Sequence, residues 1–150
     1  MKNLLLPYYF KLIGIFLLVT GIALAIFYIW FDFRFTIPVF AVYSVFLETK
    51  IFETFRTNFA DELTLLFLIC GLGMIVFSRQ KTEFTGLDLI RFKALSLAVI
   101  TNTVFLLLSV IFVYGSGFMG ILVFNVISLF VFYLIIFFFI KRKKSVEKSE

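Results

Sequence analysis

Between Lys93 and Lys141 lie 47 consecutive residues without a charged side chain. That is more than twice the ~20 residues an α-helix needs to cross a hydrocarbon core of about 30 Å, so the stretch has to fold back once. The reversal is placed at Tyr-Gly-Ser-Gly-Phe, residues 114–118, where Gly115 and Gly117 allow the torsions of a tight turn. Two spans result, at about 94–114 and 118–140. An uncharged run of 20 residues at 12–31 supplies another. A run of 16 at 63–78 supplies the fourth, at about 62–79. As helix this run measures about 24 Å, and local thinning of the bilayer or snorkelling by Arg79 closes the gap.

The first run has a rival reading as a cleaved signal peptide, since Met1 and Lys2 precede it and Ala-Leu-Ala stands at 23–25. Its apolar length, continuing through Phe31, favours a span. Composition agrees: 63% of residues are hydrophobic, 24 are Phe and 15% are charged, against roughly 45–50% apolar and ~25% charged in soluble domains. The expected fold is all-α, an integral membrane four-helix bundle forming a single domain over residues 1–150. It has an outer loop at 32–61, a cytoplasmic loop at 79–93 and a cytoplasmic tail at 141–150.

Charge orients these spans. Of the 14 Lys and Arg, 11 fall on the side that holds both termini: Lys2, Lys11, Arg79, Lys81, Arg91, Lys93, Lys141, Arg142, Lys143, Lys144 and Lys148. Arg34, Lys50 and Arg56 fall on the other. The positive-inside rule therefore predicts cytoplasmic termini, in a bacterial cytoplasmic membrane. Tyr28, Trp30 and Tyr114 at one boundary and Tyr8 and Tyr9 at the other fit an aromatic belt. In the outer segment, Tyr43, Leu47, Ile51, Phe55 and Phe59 recur every four positions, with Glu48, Lys50, Glu53 and Arg56 off that line. This spacing predicts one or two short amphipathic helices beginning near Pro38, either a lid on the bundle or a docking surface for a partner.

Several chemistries are excluded or disfavoured. Cys70-Gly-Leu-Gly73 opens like a nucleotide-binding loop, but Val76 stands where the third glycine belongs and the stretch lies late in a span. Gly71 and Gly73 instead fit close helix approach, as do Gly21 with Ala25 and Ala94 with Ala98. The lone Cys70 rules out cysteine-pair redox chemistry, and the chain has no histidine. The uncharged runs that form the spans hold no carboxylate, histidine or basic residue, which weighs against proton-coupled transport and multidrug-type export. The pI near 9.4 reflects topology determinants beside apolar runs, so no nucleic-acid partner is expected. No cofactor, metal site or catalytic residue is predicted.

Three groups remain as candidates. Asp61 and Glu62 form an outer acidic pair, but neighbours on a helix point about 100° apart, and the plainer reading is capping, by Asn58 or Asp61, together with a favourable helix dipole. Asn102, Ser109, Asn125 and Ser128 form an intramembrane polar ladder: counted from Ser116, Asn102 and Ser128 lie about 21 and 18 Å deep, Ser109 and Asn125 about 10 and 14 Å. Interhelical hydrogen bonds there are structural glue of roughly 0.6–2 kcal/mol each, or else line a polar ligand cavity. Arg79, Lys81, Arg91, Lys93, Lys141, Arg142, Lys143 and Lys144 are cytoplasmic basic anchors suited to lipid phosphates. Glu83 and Asp88 pair with them or cap the following helix.

The stretch from residue 61 to 125 resembles a group of small four-span bacterial inner-membrane proteins of no assigned function. The shared elements are Asp-Glu-Leu at 61–63, Gly-Leu leading to Phe-Ser-Arg-Gln-Lys at 77–81, Ile-Arg-Phe-Lys-Ala-Leu-Ser-Leu-Ala at 90–98 with Asn102, the turn at 114–118, and Asn125. After Glu83, Phe-Thr-Gly is less acidic than in that group. The resemblance implies architecture and compartment. The expected function is a non-enzymatic accessory or interaction component with membrane lipids, a membrane protein or a second copy as partners. The alternative is a small transporter or lipid-handling protein with a cavity near Asn102 and Asn125, and an enzyme comes third.

Overall fold

The computed structural model describes residues 5–31, 34–45, 49–81 and 86–147. Met1, Lys2, Leu47, Glu48, Glu83 and Lys148, named above, lie outside them, as do the side chains of Tyr43, Lys50, Ile51, Glu53, Phe55 and Lys144. The elements in order are α1 (Tyr8–Phe31), β1 (Thr36–Val45), β2 (Thr49–Asn58), α2 (Ala60–Phe77), α3 (Leu87–Phe112) and α4 (Ser116–Glu147). All four helices are long and apolar enough to cross a membrane. Most of each lies uncovered by the rest of the chain, with large side chains such as Phe16, Ile100 and Phe139 facing outward. In water such surface is unfavourable at roughly 25 cal/mol per Å², whereas lipid removes the penalty.

The helices pack in pairs, α1 with α2 and α3 with α4, and the pairs meet through α2 and α4. The first pair closes backbone to backbone. A Cβ placed on Gly71 meets the Leu18 amide nitrogen at 2.7 Å and the Gly14 carbonyl oxygen at 2.9 Å, and one placed on Gly14 meets the Gly71 carbonyl oxygen at 2.8 Å. Gly73, expected to act alike, faces open space. The second pair buries a seam in which Ile90, Ala94 and Ala98, one turn apart on α3, receive Tyr133 and Phe137 of α4. Those two rings stack with centroids 5.8 Å apart. Small residues on one helix make room for the rings on the other.

Chain reversals fix which ends coincide. Gly115, at φ 70°, makes the turn between α3 and α4, while Gly117 already belongs to α4. Leu6 pairs with Ser78: its amide donates to the Phe77 carbonyl and its carbonyl accepts from Arg79, both at 2.9 Å. Lys11 and Lys141 both reach the side-chain oxygen of Gln80, at 3.5 and 3.4 Å. The start of α1, the end of α2 and the basic part of α4 therefore share one end of the molecule. Helix also extends past the apolar runs. α3 starts at Leu87, so Asp88, Arg91 and Lys93 are helical, with Asp88 and Arg91 paired three residues apart at 3.4 Å.

The segment between α1 and α2 corrects the expectation of amphipathic helix. It is an antiparallel hairpin running from Thr36 opposite Asn58 to Val45 opposite Thr49. A spacing of four is also twice the strand period of two, so the apolar pattern fits both states. The Thr, Val, Ile and aromatic content then favours strand. Pro38 is tolerated because both strands of a two-stranded sheet are edges.

Candidate functional site

Within the apolar body of the second pair, three side chains hydrogen-bond one another. The Asn102 amide nitrogen donates to the Asn125 side-chain oxygen at 3.2 Å. Ser128 donates its hydroxyl to the Asn102 side-chain oxygen at 2.6 Å, and lies 2.9 Å from the Asn125 carbonyl oxygen in the turn before it. Asn125 and Ser128 sit three residues apart on one face of α4, which lets Asn102 engage both. Phe105, the next turn of α3, sits edge-on to Phe124 and Phe132 at 6.2 and 6.4 Å, so aromatic carbon adjoins the cluster. Low local polarity strengthens each bond and makes an unmade one costly.

Ser109 stands apart from this cluster. It is buried, but its hydroxyl bonds Phe105 of its own helix at 2.8 Å. Thr20, Thr64 and Thr103 likewise bond the carbonyl four residues back. A hydroxyl in a helix always has that local acceptor, whereas a carboxamide is too long to use it well and reaches a neighbour. Chemically, the trio can donate and accept hydrogen bonds but cannot carry a proton. The amide nitrogen of Asn125 is buried and has no partner among the described residues.

Asp61 and Glu62 are exposed in the first turn of α2. Asp61 and Glu62 hydrogen-bond each other, and the neighbouring Asn58 accepts through its side-chain oxygen from the Phe35 amide at 2.9 Å and the Ala60 amide at 3.3 Å. With the Phe59 amide bonded to the Phe35 carbonyl at 2.8 Å, Asn58 joins the base of the hairpin to the helix. Among the described residues, no three His, Cys, Asp or Glu side chains gather as a metal site would need.

The basic anchors are not equivalent. Lys81, Lys93, Arg142 and Lys143 are exposed, Arg79 and Lys141 are half-buried, and Arg91 is 8% exposed within the α3 interface. Gln80, Tyr133 and Gly14 were not singled out from the sequence. The Gly14 signal was present as the first member of a seven-residue Gly14–Gly21 spacing on α1.

No protein family matches the chain, and no curated protein or solved structure does. The resemblance drawn from residues 61–125 therefore extends to the four long apolar helices and identifies no family.

Proposed function

We propose that this chain is a non-enzymatic, multi-pass component of a bacterial cytoplasmic membrane, with both termini in the cytoplasm, that works by contact with a partner through its outer hairpin. The observation that carries this reading is the hairpin's independence. Its strands pack on each other, and among the described residues it touches the helices sparingly beyond its base at Asn58 and Phe59. A lid would lie on the bundle; this element stands off it. Phe40 and Phe52 are 63% and 67% exposed with ring centroids 6.3 Å apart. Phe52 also holds a left-handed backbone at φ 52°, a conformation unfavourable for an aromatic residue outside a functional constraint. Both strand edges offer backbone groups to an added strand.

A photo-crosslinking residue at Phe40 or Phe52 in native membranes is expected to give one adduct of defined mass, absent when the same residue replaces the outward-facing Trp30. An identical adduct pattern at Trp30 would overturn the reading.

A second reading, a small transporter or lipid-handling protein with a polar cavity, draws support from the unpartnered Asn125 amide. In a Cys70→Ser background, Asn125→Cys separates the two. Rapid modification by a small water-borne thiol reagent supports the cavity, and protection supports a packed bundle.

A further inference from the structure

At the end where α1 starts and the basic part of α4 lies, a groove of about 350 Å³ opens between the last turn of α2 and the facing sides of α3 and α4, with Val76, Phe77, Leu95 and Tyr133 among its walls. Its volume is within the roughly 300–1,000 Å³ typical of ligand sites. The lining is almost wholly apolar, yet it includes the guanidinium-bearing Arg91. An apolar groove fits a hydrocarbon chain, and a nearly buried guanidinium at its wall fits an anion.

Further positive charge lies beside it. Tyr133, Phe137 and Lys141 follow one face of α4 in steps of four, so Lys141 stands about 12 Å beyond Tyr133 toward the end of the molecule. There Lys141 and Lys11 converge on the one oxygen of Gln80, two cations on a neutral acceptor. Like charges brought together in this way repel, and an anionic head group at this end of the molecule relieves the repulsion.

We propose that this groove binds an anionic phospholipid, with one acyl chain along Val76, Leu95 and Tyr133 and the phosphate held by Arg91, at the end of the molecule where Lys141 and Lys11 converge on Gln80. Arg matches phosphate through two parallel N–H bonds, and basic pockets between membrane helices are suited to anionic head groups. Asp88, whose carboxylate is about half exposed, is an acid that pairs with Arg91, at 3.4 Å. It swings outward as the phosphate takes its place. This inference goes beyond the proposed function and does not depend on the hairpin.

The test is native mass spectrometry of the full chain in neutral detergent, titrated with phosphatidylglycerol or phosphatidylcholine of equal chain length. Retention of phosphatidylglycerol is expected to exceed that of phosphatidylcholine by roughly five-fold or more, the ratio one basic contact supplies. Arg91→Gln is expected to remove that preference and Asp88→Asn to increase it. Leu95→Trp fills the groove from a side chain already 47% exposed, so folding is retained and binding of the lipid falls. Equal retention of the two lipids, or full retention in Leu95→Trp, would overturn the proposal. So would displacement of the lipid by millimolar inorganic phosphate alone, which would mark a phosphate site without a chain groove. Should Arg91→Gln fail to fold, Asp88→Asn and Leu95→Trp decide the matter.

Discussion

The two helix pairs are joined by opposite means. Between α1 and α2 the contact is backbone on backbone, because Gly14 and Gly71 present nothing else. Between α3 and α4 it is side chain on side chain, with alanines receiving rings at one level and the Asn102, Asn125 and Ser128 cluster at another. The difference shows two ways to associate helices where lipid leaves no hydrophobic force between them. One removes atoms until dispersion contacts are close; the other adds polar groups that lack alternative partners. The first arrangement is sensitive to added volume and the second to lost bonds.

Substitutions that break one pair and spare the other sharpen this contrast. The largest effect is expected from Gly71→Leu, which drives carbon into the Leu18 and Gly14 backbone; its cost exceeds about 3 kcal/mol, the upper end for overpacking. Disulfide trapping between cysteines introduced on α1 and α2 would register the separation, and unchanged trapping would refute the glycine seam. Next comes Asn102→Leu, which removes two bonds and strands their partners, at about 1–3 kcal/mol. Its thermal midpoint in detergent should fall, with Asn125→Leu falling less. Retention of full stability by both variants would remove the cluster's structural role. Gly73→Ala has an opposite sign, since the site is open and alanine favours helix: a gain of about 0.5–1 kcal/mol, read as a raised midpoint. Ser109→Ala should change stability least, by about 0.5 kcal/mol, because its hydroxyl serves only its own helix. A loss in Ser109→Ala as large as in Asn102→Leu would return Ser109 to the interhelical ladder.

Part of the polar cluster's geometry follows from helix rise. Once the reversal is placed near Gly115, helix rise alone brings Asn102 and Ser128 to similar depth, and they are bonded. Ser109 bonds within its own helix, and depth says nothing about which acceptor a short hydroxyl prefers. The hairpin was misread because Tyr43, Ile51 and Phe55 satisfy a period of four and of two together. Only the cross-strand pairing, Tyr43 opposite Ile51 and Val39 opposite Phe55, distinguishes them.

What the sequence determined alone is the number of long apolar helices and where charge interrupts them, since hydropathy and helix length are local properties read along the chain. Which helices pair was left to the tertiary structure, as were the one glycine of Gly71 and Gly73 that meets a neighbour and the placement of Arg91 at the wall of a groove. Those outcomes depend on rotation and approach between helices. A one-dimensional pattern of apolar residues, nearly uniform around each helix, carries no preferred face from which to infer them.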